Sequence, residues 1–541
     1  MFCDTHQVNQ LTSLLLAHDF HHVVVCPGSR NATIVHNLNE VSHQIKLHPV
    51  TDERSAAFVA LGMSLALQEP VAVCVTSGSA LLNCIPAVAE AYYRHLPILV
   101  ISADRPQRML GQLDGQTLPQ VGALQPYCST FQIDPVTDEA SRRVNNRRIN
   151  EAIISLKNQG GRPAHLNVSI EEPMFSFTTP ILPEERKITL VHPSPCNPLP
   201  QDVIQLISEA RLPVLLIGQY ERGDLRKEID DLAQQHQLLV LPEVISDVEG
   251  NFRMNAFDRM VQTDASIVPD VVVQIGGNFV HKAFKSALRQ SQDCRVVRIT
   301  EEDSIADTFD HLHLQIQASL RESLKQLAEV LPHFHRGVTE AAQKLDNAWA
   351  ELSEQRPYKA DSLTMHFTMH ALHEALTNCT APFTLHLANS SAVRVAGEYF
   401  EGGSCPILCN RGTNGIEGSL STAVGYAMQM WGLNILIIGD LSFFYDVNAL
   451  WNTHLPNGLR ILLLNNGHGG IFDRLPGLSQ SPACTEYVAA GNQHFTAKGI
   501  AESFHLGYHQ ACSCDELPTI IHQWLAPSDS AQLLEVVLEE G

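Results

Sequence analysis

Residues 434–451 read NILIIGDLSFFYDVNALW, and residues 459–472 read LRILLLNNGHGGIF. Each stretch is an apolar run as long as a buried strand, followed by a turn of glycine and polar residues. The segment 447–454 between the two runs has a helical pattern. The stretches therefore predict two parallel strands joined through a helix, with both turns at the same edge of one sheet.

The same order of apolar run, turn and helical pattern occurs in two earlier parts of the chain. The runs of these two parts are 21–31, 71–83 and 96–106, then 212–220, 237–244, 270–278 and 294–300. The chain is therefore predicted to be an α/β protein with three domains, each a parallel sheet flanked by helices. Its 541 residues are also too many for one ordinary core.

Proline clusters mark the predicted domain boundaries. A linker is predicted where six prolines crowd one stretch, at Pro180, Pro183, Pro193, Pro195, Pro198 and Pro200. A second linker is predicted at Arg356–Pro357–Tyr358, after a pair of helical patterns. We therefore place the three domains at about residues 1–180, 200–335 and 360–541.

The composition is that of a soluble globular protein, with 44% hydrophobic and 17% charged residues. No run approaches the roughly 20 apolar residues of a membrane helix, and no signal-peptide pattern is seen, so a cytoplasmic protein is expected. The formal net charge of −22 disfavours nucleic acid and anionic lipid as partners. The 13 cysteines form no C-x-x-C pair, which indicates free thiols in a reducing compartment and argues against structural zinc.

Metal-ligand residue types follow both of the opening runs. Asp440 follows the first, and Asn466 comes 26 residues later, after the second. Mg²⁺ prefers oxygen ligands, and Asp440, Asn466 and the backbone carbonyl of His468 could supply them, while the neighbouring glycines would let a diphosphate approach. An aspartate N-cap and an Asn-Gly turn explain the same residues, and the local sequence leaves both interpretations open.

A carboxylate pair precedes a predicted amphipathic helix that begins at about Arg54. The stretch is IKLHPVTDERSAAFVALG, residues 45–62. Glu53 could be an acid favoured by the helix dipole, but Asp52 could fill that role equally well, so the local sequence does not choose between them. Ile416, in NRGTNGIEGSLSTAVG, would by itself be interpreted as a core residue.

Taken together, the motifs resemble those of the 2-succinyl-5-enolpyruvyl-6-hydroxy-3-cyclohexene-1-carboxylate synthases, a family of thiamine-diphosphate-dependent transferases of menaquinone biosynthesis. The motifs that carry the resemblance, in chain order, are CPGSRN, TDERSAAF, TSGSALLN, ISADRP, NSSAVR, NRGTNGIEG, GDLSFFYDVNAL and NNGHGGIF. The resemblance covers the first and third predicted domains almost fully and the middle one weakly. It implies a pyrimidine-binding domain, a central Rossmann-like domain and a diphosphate-binding domain, with an active site shared between subunits of a homodimer or a dimer of dimers.

The resemblance implies thiamine diphosphate and Mg²⁺, or Mn²⁺, as cofactors. It makes Glu53 the catalytic carboxylate that binds the pyrimidine ring, and Ile416 the bulky residue that bends the cofactor. The implied metal ligands are Asp440, Asn466 and His468. The full cofactor set that the resemblance implies is Glu53, Ser390, Ile416, Gly439, Asp440, Leu441, Ser442, Asn466, His468, Ile471 and Phe472.

The resemblance implies 2-oxoglutarate and isochorismate as substrates. Both are dianions, so an acidic chain must gather cations locally, and arginine grips carboxylates well. The implied substrate-binding residues are Ser29, Arg30, Arg105, Gln116, Lys282, Arg394, Arg411 and Leu475. Taken singly, Arg105 could instead pair with Asp104, and Arg394 could lie on a solvated helix face.

The expected reaction is decarboxylation of 2-oxoglutarate and conjugate addition of the succinyl carbanion equivalent to isochorismate. One alternative is another thiamine enzyme, such as an acetolactate-synthase-like protein or a 2-oxoacid decarboxylase. The set of cations favours a multiply anionic acceptor over these. The other alternative is a non-catalytic oligomeric scaffold, and the presence of Glu53, Asp440 and Asn466 argues against it.

Overall fold

The chain contains three parallel sheets flanked by helices, which confirms the predicted α/β class. The computed structural model describes residues 1–157, 161–190, 199–221, 225–234, 237–248, 250, 254–332, 335–354, 361–400, 402–403, 405–475, 477–491 and 495–539. The predicted linker at Arg356–Pro357–Tyr358 and the prolines 193, 195 and 198 lie outside the described residues. The domain boundaries drawn through these linkers stay a prediction.

The first sheet has six strands in the order β2-β1-β3-β4-β6-β5, and every neighbouring pair is parallel. Strands β1 to β6 span His22–Val25, Lys46–Pro49, Val71–Val75, Ile98–Asp104, Ser129–Ile133 and Ala164–Ser169. The strands β3, β4 and β6 are buried along their whole length. Burial on both faces explains why these strands are continuous apolar runs.

The second sheet has five strands in the order β11-β10-β9-β7-β8. Strands β7 to β11 span Pro213–Ile217, Leu239–Pro242, Val271–Ile275, Arg295–Thr300 and Leu312–Gln317. The four predicted strands correspond to β7–β10. The edge strand β11 was not predicted, because it is only partly buried and its sequence LHLQIQ alternates apolar with polar residues.

The third sheet has six strands in the order β13-β12-β14-β15-β17-β16. Strands β12 to β17 span Phe383–Leu387, Ile407–Cys409, Leu433–Gly439, Leu459–Asn465, Gly507–Ala511 and Gln532–Val537. The two opening runs form β14 and β15, which are neighbours at the centre of this sheet.

Within the described residues, eighteen α-helices flank the sheets. Helices α1 to α9 span His6–Ala17, Ala32–Glu40, Glu53–Leu67, Ser79–Asn83, Ile85–Arg94, Glu139–Ser155, Gln201–Ser208, Arg226–Gln234 and Met254–Met260. Helices α10 to α18 span Ala283–Gln290, Leu320–Val330, Arg336–Glu354, Met365–Thr377, Ser391–Ala396, Ser419–Ala427, Asp440–Tyr445, Lys498–Ser503 and Leu517–Leu525. No helix in this part of the chain has the length and apolar character needed to cross a membrane.

The helix predicted at 447–454 forms only in part. Its first residues form a short 3₁₀-helix, Val447–Leu450, and the α-helix α16 precedes it. Between the two lies Asp446, which is fully buried and accepts hydrogen bonds from the backbone N–H and the hydroxyl of Ser421 in α15. This contact holds the chain at a turn immediately before the segment that was predicted to be helical.

The described chain forms two compact units. The first contains Met1–His192, Gly412–Trp431 and Ser442–Leu459, and so holds the first sheet together with α15. The second contains Pro193–Arg411, Gly432–Leu441 and Arg460–Gly541, and so holds the second sheet and nearly all of the third.

Helices α3 and α15 pack backbone to backbone inside the first unit. A Cβ atom added to Gly62 would lie 2.1 Å from the carbonyl oxygen of Thr422, and one added to Gly425 would lie 2.1 Å from that of Val59. Residues 55–65 of α3 are consequently all buried. The prediction of an amphipathic helix was therefore wrong, because α15 covers the face that was expected to be exposed.

Candidate active site

Asp440 stands at the end of the central strand β14, and only 3% of its surface is exposed. Burial raises the pKa of this carboxyl above its usual value, against the opposing effects of backbone hydrogen bonds from Leu441 and Gly467 and the charge of His468. The Oδ1 atom accepts the Leu441 N–H at 2.9 Å. A buried carboxylate with a raised pKa is a group that a cation would stabilise in its charged form.

The turn after β15 lies beside Asp440, as the contact with Gly467 shows. Gly467 has a positive φ of 76°, which favours glycine at this position. A Cβ on Gly470 would lie 2.9 Å from the side-chain nitrogen Nδ2 of Asn466, so the glycine permits this close approach of the Asn466 side chain. The structure thus brings the tips that carry Asp440 and Asn466 together, as the spacing predicted.

His468 has two partners within this turn. Its Nδ1 lies 3.1 Å from the carbonyl oxygen of Asn466, and its Nε2 lies 2.7 Å from Oδ2 of Asp473. Burial acts to lower the pKa of His468, but these two hydrogen bonds and the charges of Asp473 and Asp440 outweigh it and raise the pKa. The backbone carbonyl, which is the predicted ligand, accepts the Gly470 N–H at 3.1 Å and retains a second lone pair.

The residues around Asp440 fit a divalent cation with a diphosphate. Gly439 faces open space, since a Cβ added there would meet no atom within 4 Å. Among the residues that the structure describes, no group of three or more His, Cys, Asp or Glu could hold a metal. A cation here would therefore combine one carboxylate with amide, carbonyl and phosphate oxygens, which is the ligand set that Mg²⁺ uses.

Asp52 and Glu53, which the sequence could not distinguish, have different positions at the start of α3. Asp52 is the N-cap, because its Oδ1 accepts the N–H groups of Arg54 and Ser55 at 2.8 and 3.2 Å. Its other oxygen accepts a hydrogen bond from the side chain of Asn448 at 2.7 Å. Glu53 is half-buried, takes no part in capping, and accepts a hydrogen bond from Asn83 at 3.2 Å. Its carboxylate is thus available to a ligand.

Ile416 is 39% exposed, so the interpretation as an ordinary core residue was wrong. Its carbonyl oxygen accepts the hydroxyl hydrogen bond of Ser442 at 2.5 Å. The loop that leads to Ile416 is held by Glu90, which is 1% exposed and accepts hydrogen bonds from the N–H groups of Gly412 and Thr413 and from the Thr413 hydroxyl. The first unit thus presents an apolar side chain on a fixed loop.

Two of the predicted substrate cations meet in the first unit. Arg30 is 3% exposed and donates from Nη2 to Oε1 of Glu172 at 2.8 Å, and Nη1 of Arg105 lies 3.8 Å from the same oxygen. The observed ion pair of the Arg105 guanidinium is with Glu172, whereas Asp104 accepts the backbone N–H of Arg105. Glu172 is therefore a carboxylate placed between two arginines expected to bind carboxylates.

We predict that Glu172→Gln lowers the KM of the substrate that Arg30 and Arg105 bind. Removing an exposed competing charge is worth up to about 1 kcal/mol, which corresponds to a KM decrease of up to about fivefold. The control is Glu139→Gln, which removes the same charge from an exposed glutamate that also contacts two arginines, Arg142 and Arg143. An equal change in KM for the two variants would contradict the prediction and indicate an effect of net charge alone.

A cavity of about 530 Å³ opens beside Arg105. Its other lining residues include Asp104, Gln120, Gln132 and Ser169. The Nε atom of Arg105 is buried and makes no hydrogen bond within the described part of the chain. A buried donor without an acceptor carries a desolvation cost that a bound anion would remove.

The other three predicted cations lie in the second unit. Two of them, Arg411 and Arg394, donate hydrogen bonds to the consecutive residues Asn389 and Ser390. Arg411 donates from Nη1 to Oδ1 of Asn389 at 3.0 Å, and Arg394 donates from Nη1 to the carbonyl oxygen of Ser390 at 2.5 Å. Ser390 has a φ of 74°, which is unusual for a residue with a side chain and is typical of functional turns. Arg394 is only partly exposed, and the alternative in which it lies on a solvated helix face stays open.

Lys285 is a further cation near Lys282 and Arg411 that was not predicted from the sequence. Burial lowers the pKa of Lys285, and the charges of Arg411, Arg289 and Lys282 lower it further, against the charge of Glu243. Lys282 is the N-cap of α10, and Lys285 lies in the first turn of this helix, three residues later. The spacing of the two lysines was the available signal.

The chain was compared with known proteins. Residues 7–132 match the family model described as the thiamine pyrophosphate enzyme, N-terminal TPP binding domain. A 2-succinyl-5-enolpyruvyl-6-hydroxy-3-cyclohexene-1-carboxylate synthase of Bacteroides thetaiotaomicron is 36% identical over 99% of this chain and 96% of its own length. The synthase of the same name from Phocaeicola vulgatus is 37% identical over 100% of this chain and 97% of its own length. The chain belongs to this synthase family. The resemblance inferred from the motifs is thereby confirmed.

The remaining positions predicted from the synthase family lie at strand ends or in the turns that follow them. Ser29 is exposed after β1, and Gln116 is exposed with a φ of 57° and its backbone against Gly78. Ile471 and Phe472 are partly buried, and Leu475 is 46% exposed. Their binding roles stay predictions.

The motif resemblance implied three departures. Leu441 stands where the thiamine-diphosphate-binding motif usually has glycine, and His468 and Gly115 stand where the synthase family was expected to have glycine and asparagine. Leu441 contributes a backbone N–H to Asp440, and the predicted ligand atom of His468 is a backbone carbonyl, so neither side chain is needed for the metal. A Cβ at Gly115 would meet open space, so the fold does not require glycine there.

Proposed function

We propose that this chain catalyses the thiamine-diphosphate-dependent decarboxylation of 2-oxoglutarate and the conjugate addition of the succinyl unit to isochorismate. The product would be the 2-succinyl-5-enolpyruvyl-6-hydroxy-3-cyclohexene-1-carboxylate named in its relatives, a step of menaquinone biosynthesis. The observation that carries the proposal is Arg411, which is 6% exposed and has no carboxylate partner among the residues that the structure describes. A buried unpaired guanidinium is costly unless an anion binds it.

Glu53 is proposed to bind the pyrimidine ring of thiamine diphosphate. The cofactor, when bound, supplies the electron sink that lets CO₂ leave a 2-oxoacid. The carboxylate of Glu53 would accept a hydrogen bond from the pyrimidine ring nitrogen and keep that nitrogen protonated. The capping role of Asp52 supports this assignment, because it leaves Glu53 without a structural task in the helix.

Asp440, Asn466 and the carbonyl of His468 are proposed to hold Mg²⁺, or Mn²⁺, against the diphosphate. The proximity of the two tips and the open space at Gly439 support this role. The N–H groups of Leu441 and Ser442, and the side chains of Ser390, Ile471 and Phe472, would complete the cofactor site.

The cations are proposed to bind the carboxylates of the two substrates. Arg30 and Arg105 form one pair, and Lys282, Arg394 and Arg411 form a second group. Arginine binds carboxylates with two parallel hydrogen bonds, which orients a substrate as well as attracting it. The two groups would offset the mutual repulsion of two dianions and fix the reacting carbons near each other. Ser29, Gln116 and Leu475 are also proposed to contact the substrates.

We also propose that the active enzyme is a cytoplasmic homodimer or dimer of dimers. In this proposal the first domain of one subunit and the third domain of its partner share a thiamine diphosphate. A monomeric form would then lack activity.

The experiment that tests the function mixes the purified chain with thiamine diphosphate, Mg²⁺, 2-oxoglutarate and isochorismate. We expect CO₂ release and consumption of isochorismate in equal amounts, and no reaction when either substrate is omitted. CO₂ release from pyruvate, with no use of isochorismate, would instead indicate a different thiamine enzyme. Failure to bind thiamine diphosphate by calorimetry would indicate a scaffold.

A further inference from the structure

Three carboxamide side chains hold three consecutive carbonyl groups at the end of β13. Gln219 donates to the carbonyl oxygen of Cys409 at 2.7 Å, and Asn389 donates to that of Asn410 at 2.6 Å. Asn278 donates to the carbonyl oxygen of Arg411 at 2.6 Å. The backbone that presents Arg411 is thus fixed residue by residue.

Two of these side chains come from the second sheet, whose role, apart from Lys282, the sequence did not reveal. Gln219 follows β7 and Asn278 follows β9, and these strands are neighbours. The two tips are joined by backbone hydrogen bonds, from Gln219 N–H to the Asn278 carbonyl at 2.9 Å and from Gly277 N–H to the Gln219 carbonyl at 2.8 Å. The two carboxamides are therefore held side by side.

Glycine makes this pairing possible. A Cβ on Gly218 would lie 2.2 Å from the carbonyl oxygen of Gly277, and Gly276 has a positive φ of 75°. The close approach of the tips cannot be made with a side chain at Gly218 unless the backbone moves. The spacing of Gln219 and Asn278 is thus a property of the second sheet rather than of the loop that they hold.

Arg411 itself needs such support. Its guanidinium is buried, its Nε makes no hydrogen bond within the described residues, and Nη1 donates to Asn389. Asn389 both accepts from this guanidinium and donates to the carbonyl of Asn410. The direction of the guanidinium therefore depends on the backbone of residues 409–411, which Gln219 and Asn278 hold at either end.

We propose that Gln219 and Asn278 are positioning residues that set the affinity for the anionic substrate by fixing the guanidinium of Arg411. This inference rests on the proposed function, in which Arg411 binds a substrate carboxylate. It gives the second sheet a task that does not require contact with substrate. Displacing a charged hydrogen-bond donor by a fraction of an ångström weakens binding while leaving the cofactor site unchanged.

The test is a double-mutant cycle of Asn278→Ala and Arg411→Ala, with the KM of each substrate, kcat and thiamine diphosphate affinity measured for all four proteins. We expect Arg411→Ala to raise the KM of one of the two anionic substrates. Asn278→Ala should raise the same KM roughly 3- to 10-fold, as for one lost hydrogen bond, and leave cofactor affinity unchanged. In the Arg411→Ala background, Asn278→Ala should have no further effect on that KM.

Equal effects of Asn278→Ala in both backgrounds, or no effect on KM in either, would overturn the inference. If Arg411→Ala leaves both KM values unchanged, the assigned role of Arg411 in the proposed function fails instead. Should Arg411→Ala fold poorly, Arg411→Lys takes its place in the cycle. The control is Gln237→Ala, since Gln237 is a buried carboxamide of the same unit that donates to the carbonyls of Ala328 and Leu331. This control should lower Tm without raising either KM.

Discussion

Replacing Glu53 by glutamine is expected to lower kcat by about 10²- to 10⁴-fold, the usual contribution of a positioned acid or base. Glutamine has the shape of glutamate and can still accept from Asn83, so the fold and the Tm should change little. A neutral amide cannot keep the pyrimidine nitrogen protonated, and so the loss should appear in kcat rather than in substrate KM. Steady-state kinetics, together with calorimetric titration of thiamine diphosphate, measures both quantities.

The matched control for this prediction is Asp52→Asn. Asparagine is as good an N-cap as aspartate, so the helix should persist and kcat should fall by no more than a few-fold. The adjacent carboxylates make the comparison sharp, because the two variants remove the same charge one residue apart. If the two variants lost equal activity, or if Glu53→Gln turned over like the wild type, Glu53 would not be the carboxylate that binds the pyrimidine ring.

The central strands of the sheets could be predicted because burial on both faces gives them an unbroken apolar sequence. The runs that end before Asp440 and Asn466 are examples, and the turns that follow them lie together as expected. The edge strand β11 is only partly buried and has no unbroken apolar sequence, so it could not be predicted in this way. Helix α3 was predicted to be amphipathic because the helix that covers its other face, α15, lies more than 350 residues away in the chain.

The polar contacts of the candidate site could be predicted only in part. The arginines could be named because the motif resemblance implied them, and parallel sheets place ligand-binding turns at one edge. Their partners could not, since Glu172 and Asn278 each act through a long-range contact that no local pattern records. The choice between Asp52 and Glu53 was decided by hydrogen-bond directions at the helix start, which depend on coordinates.

Replacing Asp440 by alanine is expected to abolish the Mg²⁺-dependent part of cofactor binding. Loss of residues that merely support a ligand costs about 10- to 100-fold in metal affinity, so loss of the ligand itself should raise the Kd of thiamine diphosphate at least about 100-fold in Mg²⁺. The measurement is calorimetric titration of thiamine diphosphate in Mg²⁺ and in a chelator. An unchanged Kd in Mg²⁺ would count against the metal site.

The chelator arm separates a lost metal ligand from a damaged fold. Without metal, the carboxylate of Asp440 would repel the diphosphate, so Asp440→Ala should then bind the cofactor no more weakly than the wild type. The matched control is Asp258→Ala, because Asp258 is also an aspartate that accepts a backbone N–H, from Phe284 at 2.7 Å, and burial raises its pKa as well. This control should lose stability, yet keep the difference in Kd between Mg²⁺ and chelator. A variant that binds weakly in both conditions would point to disrupted packing at the end of β14, whereas weakness confined to Mg²⁺ assigns the carboxylate to the cation.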